Sequence, residues 1–134
     1  MAFDKTLRAI LELVKKGINA TDQNGDTALI RAARIGDVEI VKVLIENGAV
    51  LDKQDSDDNT ALIWAVYNGH NEIALALIEN GAALDKQDSD DNTALIWAVR
   101  KGNNEIAAAL IETAKAGISP ERDNTRPMPE PPQT

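Results

Sequence analysis

The sequence predicts an all-α protein built as a solenoid, in which short helix pairs stack side by side and hairpin loops project along one edge. Two observations predict this fold. Residues 51–66 recur letter for letter at residues 84–99, and a looser copy lies one 33-residue period upstream. Within each period, a threonine, a turn glycine and apolar residues at helical spacing follow in the same order. A fixed period of this length is typical of stacked units that cover each other's apolar faces.

Each period is expected to begin with a short helix capped by a threonine. The hydroxyl of Thr60 can accept a hydrogen bond from a free amide of the first helical turn. Residues 61–66 are strong helix formers, and Gly69 breaks the helix. Thr27 and Thr93 hold the equivalent positions in the other two copies.

A second helix is expected to follow in each period. It opens near His70, and Glu72 lies in its first turn, where the helix dipole favours a negative charge. In the upstream copy Asp37 is the expected N-cap, and Gly48 and Gly81 stop the two helices. The expected inner stripes are Ile73, Leu77 and Ile78 in one copy and Ile40, Leu44 and Ile45 in the copy before it.

The two ends of the chain differ from the repeated middle. Residues 4–16 predict one amphipathic helix, which we interpret as the second helix of an incomplete first unit. Its expected apolar side comprises Leu7, Ile10, Leu11 and Val14. In the last unit Ala114 replaces the glycine stop, so the final helix should continue to Gly117.

These patterns predict five segments along the chain. They are an N-terminal half-repeat helix (1–18), three full units (19–51, 52–84 and 85–117) and a Pro-rich C-terminal tail (118–134). The last helix has no further unit to cover it. We therefore expect Ile118 and nearby tail residues to pack back on it as a cap.

Composition restricts the functions that the chain can have. The net charge is −8, and segments 52–58 and 85–91 each carry four Asp and one Lys. Such local acidity argues against binding to nucleic acid or to anionic membranes. Cysteine is absent, the N-terminus lacks a signal-peptide core, and no apolar run is long enough for a membrane span. We expect a cytoplasmic monomer without a cofactor.

Four short sequence elements recur with the period and resemble the ankyrin repeat. The elements are Thr-Ala-Leu-Ile at 27–30, 60–63 and 93–96, a turn glycine at 36, 69 and 102, Glu-Ile at 39–40, 72–73 and 105–106, and a closing Gly-Ala at 48–49 and 81–82. The resemblance covers about residues 5–117. It implies an ankyrin-repeat solenoid whose activity is protein recognition rather than catalysis.

The sequence departs from the family pattern at three places in the unit. The family's Pro after the threonine is Ala at 28, 61 and 94, which suits the first helical turn equally well. Its His is Ile at 30, 63 and 96, so the usual hydrogen bond from that His to the threonine hydroxyl should be absent. Its loop glycine is kept as Gly25 but is replaced by Asp58 and Asp91, which questions the geometry of those two turns.

The resemblance also implies where a partner binds, because ankyrin-repeat proteins use their hairpin tips and the exposed face of the first helix, which line a concave groove. The tips correspond to Gln23, Asn24, Asp26, Ser56, Asp57, Asn59, Ser89, Asp90 and Asn92. The first-helix face corresponds to Arg31, Arg34, Ile35, Trp64, Tyr67, Asn68, Trp97, Arg100 and Lys101. The face is basic at both ends and the tips are acidic, so we expect a peptide or protein partner whose basic groups face Asp57 and Asp90.

Both tryptophans also have a purely structural interpretation. Half-buried packing of Trp64 and Trp97 between adjacent helices is favoured, and it does not preclude contact through the edge of the indole. Tyr67-Asn68 and Arg100-Lys101 are the first differences between two otherwise near-identical copies. Difference on a solvent face permits specific recognition, so these positions are the most informative ones.

Three other hypotheses compete with protein recognition. Catalysis has little support, because His70 is the only histidine and no nucleophile–base pair with Ser56 or Ser89 is visible in the sequence. Residues 55–59 match the first ligands of a calcium loop, yet the required Gly and the twelfth-position Glu are replaced, so acidic surface loops are favoured. Finally, the complete identity of the repeated block suits an engineered or recently duplicated scaffold without an evolved partner.

Overall fold

The computed structural model describes residues 2–116, which form seven α-helices. The helices are α1 (Ala2–Lys16), α2 (Ala28–Ile35), α3 (Val38–Glu46), α4 (Ala61–Tyr67), α5 (Asn71–Glu79), α6 (Ala94–Arg100) and α7 (Asn104–Lys115). Residues 2–116 contain no β-strand. The predicted all-α fold is confirmed.

Six of the helices form three pairs, called here the first pair (α2 and α3), the second pair (α4 and α5) and the third pair (α6 and α7). The two helices of each pair pack against each other. Neighbouring pairs then stack, with α4 between α2 and α6 in one layer and α5 between α3 and α7 in the other. A continuous core runs through the stack, which is the arrangement that the period predicts.

Threonine caps start all three first helices, as predicted. In each case the hydroxyl oxygen accepts a hydrogen bond from the backbone amide three residues later. The distances are 3.0 Å for Ile30 N to Thr27 Oγ1, 3.1 Å for Ile63 N to Thr60 Oγ1 and 3.2 Å for Ile96 N to Thr93 Oγ1. Asp37 caps α3 in the same way, with 3.1 Å between Ile40 N and Asp37 Oδ1.

The inner faces of the second helices follow the prediction closely in one pair and less closely in another. Ile73, Leu77 and Ile78 of α5 are all buried. In α3 the buried residues are Val41 and Leu44, whereas the predicted Ile40 and Ile45 are half-buried. The stripe of α3 is therefore centred nearer to Val41 than the sequence suggests.

The apolar face predicted for α1 was partly wrong. Ile10 and Leu13 are buried, whereas Leu11 and Val14 are exposed. The helix packs chiefly on α2, while α3 and α5 each pack on the next second helix. Because α1 has one main packing partner, only a narrow line of its side chains, spaced three residues apart, is covered. The wider apolar stripe expected from the sequence is therefore exposed to solvent.

The hairpin turns keep one backbone geometry although their residues differ. Gly25 has φ 78°, and Asp58 and Asp91 at the equivalent positions both have φ 66°. All three lie in the left-handed region, which Asp tolerates better than most residues but less readily than Gly. The replacement of Gly by Asp therefore preserves the turn at a cost in backbone strain.

The C-terminal helix is longer than its counterparts, as expected from the missing glycine. The helix α7 has 12 residues, whereas α3 and α5 have nine each, and Ala116 forms its C-cap. The expected continuation to Gly117 and the proposed packing of Ile118 lie outside the described residues. Among the described helices, none combines the length and apolar character needed to cross a membrane.

Candidate partner-binding face

One aspartate at the start of each hairpin organises the edge from which the loops project. Asp55 Oδ1 accepts hydrogen bonds from the backbone amides of Asp57 at 3.0 Å and Asn59 at 2.9 Å. Asp88 Oδ1 accepts from Asp90 and Asn92 at 2.9 Å each. Asp22 makes the same pair of contacts in the first hairpin. In each loop, one carboxylate oxygen thus accepts from two backbone amides, in addition to the backbone hydrogen bonds that close the turn.

The other oxygen of each carboxylate accepts from the side chain nine residues later. The indole Nε1 of Trp64 donates to Asp55 Oδ2 and that of Trp97 donates to Asp88 Oδ2, both at 2.8 Å. In the first pair the donor is a guanidinium, since Arg31 donates to Asp22 Oδ2 through Nε at 3.0 Å and Nη2 at 2.6 Å. The position requires a hydrogen-bond donor, and both Arg and Trp can supply one.

These hydrogen bonds stabilise the ionised form of the carboxylates. Burial alone would raise the pKa of Asp88, but donation from the Asn92 amide, the Trp97 indole and the Asp90 amide lowers it below the ordinary value. For Asp22, burial likewise opposes a larger lowering of the pKa by the Arg31 guanidinium and the nearby amides. Both carboxylates are therefore charged structural acceptors at neutral pH.

Aromatic rings form a row across the first helices of the second and third pairs. The ring of Tyr67 lies edge-on to Trp64 at 6.0 Å and to Trp97 at 4.8 Å between centroids, with interplanar angles of 89° in both cases. Such perpendicular contacts are favourable for aromatic pairs. Both tryptophans are half-buried and Tyr67 is 40% exposed. The row thus packs between helices and also reaches solvent. This agrees with the half-buried packing that the sequence favoured for the two tryptophans.

Cationic side chains lie at both ends of this row. The guanidinium of Arg34 lies over Trp64 at 5.0 Å from the ring centroid, and that of Arg100 lies over Trp97 at 5.5 Å. The ammonium of Lys101 lies 4.2 Å from the Tyr67 centroid. Cation–π contacts of this kind hold long side chains against the rings.

The two basic ends of the face are not equivalent, which corrects the sequence interpretation. Arg34 donates to Asp26 at 2.8 Å, and Arg31 is paired with Asp22. Asp26 is only 2% exposed, so it lies under the loop rather than at its tip. Within residues 2–116, Arg100 and Lys101 form no ion pair. Of the two basic ends of this face, only the one on the third pair therefore carries basic charge without an ion-pair partner among residues 2–116.

The hairpin tips of the second and third pairs border a cleft of about 390 Å³. Three aromatic rings and Ile63 line its inner side, and acidic loop residues line its rim. The lining residues are Asp57, Asn59, Ile63, Trp64, Tyr67, Asp88, Ser89, Asp90 and Trp97. Its volume falls in the range of ligand pockets, which is about 300–1,000 Å³.

The hairpin loops of the second and third pairs meet at this cleft because their backbones are hydrogen-bonded to each other. The amide of Ser89 donates to the carbonyl of Asp57 at 3.0 Å, and Ser56 donates to Asn24 at 3.1 Å in the preceding gap. The side chains of Asp57 and Asp90 are exposed. Within the described residues, neither carboxylate accepts a hydrogen bond or forms an ion pair. Fixed backbones thus present free carboxylates at the rim.

The threonine caps, the turns and the stacked helix pairs together form the pattern of ankyrin repeats. A comparison with protein-family models agrees with this assignment. A model of Ankyrin repeats (3 copies) matches residues 1–88 and 57–124. The chain is an ankyrin-repeat protein. No curated protein matches it. Ankyrin repeats are in general protein–protein interaction modules and form a non-enzymatic scaffold. The cleft thus belongs to a protein whose family generally binds other proteins.

In this ankyrin-repeat protein, the fold brings together seven of the eighteen residues that the sequence placed at the hairpin tips and on the first-helix face. The seven that line the cleft are Asp57, Asn59, Trp64, Tyr67, Ser89, Asp90 and Trp97. Arg34, Arg100 and Lys101 flank it through their contacts with the rings. Arg31 lies apart in the first pair, bound to Asp22. Asn92 is buried, which corrects its placement at a loop tip.

The turn between α4 and α5 ties the second pair to the first. Asn68 donates its amide to the Arg34 carbonyl at 3.1 Å, and His70 Nε2 lies 3.1 Å from the same oxygen. The His70 ring also fills the space beside Gly36, where an added Cβ would come within 2.7 Å of it. These contacts give His70 a structural role and place Asn68 at the join between pairs.

Sequence reasoning missed the organising role of Asp22, Asp55 and Asp88. At residues 55–59 the sequence favoured an acidic surface loop over a calcium loop, and both oxygens of Asp55 accept hydrogen bonds from the protein itself. No cluster of three metal-ligating residues occurs among residues that the structure describes. The signal that could have found this role is the constant spacing of nine residues between each Asp and an Arg or Trp donor.

Proposed function

We propose that this chain is a non-catalytic recognition module that binds a peptide or protein through the groove between its hairpin tips and first helices. The observation that carries the proposal is the cleft between the second and third pairs. There, exposed aromatic surface and free carboxylates lie side by side on fixed backbone. Tyr and Trp are enriched at binding hot spots, and free charges at a rim favour selective recognition.

The contacts on the opposite layer differ in kind and do not suggest a second binding surface. Some of the exposed polar groups there pair across neighbouring helices, as in the Lys42–Glu72 ion pair at 3.4 Å. Asn71 donates to Glu105 at 2.9 Å and accepts from Asn103 at 2.7 Å. These side chains link neighbouring second helices, which makes that layer a suitable place for control substitutions.

The test is selection from a displayed peptide library, followed by titration calorimetry on the best binders. We expect Tyr67→Ala, Arg100→Ala and Asp57→Ala each to weaken binding, with at least one loss above about 1 kcal/mol, the usual threshold for a hot spot. Glu79→Ala, an exposed change on α5, is the matched control and should leave binding unchanged. If none of the three groove variants exceeds that threshold, the groove proposal is wrong.

A scaffold without an evolved partner is the second candidate, because residues 51–66 and 84–99 are identical. The same library separates the two candidates. Peptides that bind with dependence on Tyr67 or Arg100 support recognition. A library that yields no binder for the chain, while a matched ankyrin-repeat control captures its own peptide, supports the scaffold.

A further inference from the structure

The first pair shows how this fold holds an arginine of its own. The guanidinium of Arg34 donates to the carboxylate of Asp26 at 2.8 Å and lies over the Trp64 ring at 5.0 Å. One hairpin thus supplies the carboxylate and the next pair supplies the indole. The arrangement satisfies both the hydrogen-bonding edge and the flat face of the guanidinium.

One step along the stack, the chain supplies no arginine at the corresponding place. Tyr67 holds the position of Arg34, Trp97 that of Trp64, and Asn59 that of Asp26. These three residues all line the cleft. Aromatic surface is therefore present between the second and third pairs, whereas the internal cation and its buried carboxylate are absent from the equivalent positions.

Two carboxylates lie at the rim of this cleft and have no partner among the described residues. Asp57 comes from the second hairpin and Asp90 from the third, and both are exposed. Asp88 also lines the cleft, but its oxygens already accept three hydrogen bonds. The charge available to a ligand is therefore that of Asp57 and Asp90.

We propose, as a deepening of the recognition function above and resting on it, that the cleft binds an arginine side chain of the partner. The guanidinium would bridge toward Asp57 and Asp90, and its stem and face would lie on Tyr67 and Trp97. Arginine suits this cleft better than lysine, since its planar group bonds carboxylates in a bidentate manner and stacks on rings at the same time.

Lys101 lies close enough to influence such a ligand. Its ammonium contacts the Tyr67 ring at 4.2 Å and lies 6.0 Å from the Trp97 centroid, but it does not line the cleft. A second cation in the cleft would be repelled by it. The proposal therefore assigns opposite effects to two kinds of substitution, since loss of a rim carboxylate weakens arginine binding and loss of the Lys101 charge strengthens it.

The test uses the two tryptophans as reporters, since they are the only ones in the chain and both line the cleft. The full chain labelled with ¹⁵N is titrated with N-acetyl-arginine amide, and the two indole NH signals are followed. N-acetyl-citrulline amide, which has nearly the same shape without the charge, is titrated in parallel, as is N-acetyl-lysine amide. We expect saturable shifts with the arginine probe, weaker binding of the lysine probe, and no saturation with citrulline.

Charge-removing variants then locate the site. Asp57→Asn and Asp90→Asn should each weaken the arginine probe by about twofold to fivefold, as expected for exposed ion pairs, and together by about tenfold. Asp85→Asn removes the same charge from the third hairpin at a residue outside the cleft, and it should change little. Lys101→Gln should strengthen binding by about twofold.

Three results would overturn the inference. Equal shifts with the citrulline probe would mean that the rings bind without regard to charge. Equal weakening by Asp85→Asn and Asp57→Asn would mean a general acidic field. Library peptides that depend on Tyr67 and Arg100 but lose nothing when their arginines are replaced would also remove the inference while the recognition function stands. If no library peptide binds, it is the recognition function that fails.

Discussion

The second and third helix pairs have nearly the same sequence but different degrees of burial. Ile63 is 3% exposed, whereas Ile96 at the equivalent position is 37% exposed. The contrast is larger for Val66, which is fully buried, and Val99, which is 65% exposed. Both residues of each comparison belong to the identical block of the repeat.

The difference follows from the number of neighbours. Helix α4 packs between α2 and α6, while α6 packs on α4 and, among the described helices, has no first helix on its other side. In a stack of units, each residue is stabilised by its own unit and by the interface with the next one. Identical residues therefore contribute different amounts to stability according to their place in the stack.

A second contrast concerns the candidate partner-binding face. In the first pair, Arg31 and Arg34 neutralise two hairpin carboxylates, and in the later pairs Trp64 and Trp97 satisfy the same carboxylate position without adding charge. The same repeat backbone thus carries ionic side chains on the first pair and aromatic side chains on the second and third pairs. Three predictions test these comparisons, in order of decreasing effect.

The largest expected effect comes from truncating equivalent isoleucines. Ile63→Ala should lower the free energy of unfolding by about 2–5 kcal/mol, because it leaves a cavity in a packed interface. Ile96→Ala should cost about 1 kcal/mol or less, since this side chain already contacts water. Urea denaturation of both variants and of the wild type measures the two losses.

Val66→Ala and Val99→Ala repeat the comparison at a second position and should rank in the same order. If the losses at 63 and 96 were equal, the open face of the third pair would have to be covered by some other part of the chain or by another molecule. Repeating the measurement after truncation beyond Gly117 would show whether the tail provides that cover, as the sequence predicts.

A smaller effect is expected when the carboxylate of Asp88, which accepts hydrogen bonds from the third hairpin and from Trp97, is removed. Asp88→Asn leaves one oxygen for three donors and turns an amide toward the Trp97 indole, so it should cost about 1–3 kcal/mol at pH 7. The folded-state pKa of Asp88 lies below its ordinary value of 3.8. Its stabilisation is thus complete above that pH and is lost as the pH falls through the lower folded-state value.

Urea denaturation at a series of pH values from 7 to 3 checks both parts. The stability of the variant should fall less steeply than that of the wild type in the acid range, because the variant lacks this titrating group. Asp85→Asn provides the control for loss of an exposed charge in the same loop. Parallel curves for wild type and Asp88→Asn would contradict the role assigned to the carboxylate.

The smallest effect concerns the left-handed turns. Asp58→Gly and Asp91→Gly should each raise the free energy of unfolding by about 0.5 kcal/mol, since Gly adopts φ 66° without strain but loses more entropy on folding. Gly25→Ala should have the opposite effect, because its Cβ would lie 3.1 Å from the Ser56 amide nitrogen. Thermal melting of the three variants measures the ranking, and a loss of stability in both Asp→Gly variants would contradict it.

Much of the fold was predictable, and the particular residues show why. The caps at Thr27, Thr60 and Thr93 depend on atoms three residues apart, so local sequence is enough to find them. The buried face of α1 depended instead on which helix covers it. The candidate partner-binding face was predicted as a list of residues, but the sequence did not reveal that Asp22 and Asp26 neutralise Arg31 and Arg34.

The sequence by itself determined the repeat, its helices, their caps and the acidic character of the loops, because these depend on interactions within one turn of helix or one hairpin. Only the tertiary structure decided which charges remain free, which copy of an identical residue is buried, and that Asp57 and Asp90 border a cleft with aromatic walls. The physical reason is that burial and pairing are properties of neighbours in space. In a stack of units, the next neighbour lies a full repeat away along the chain.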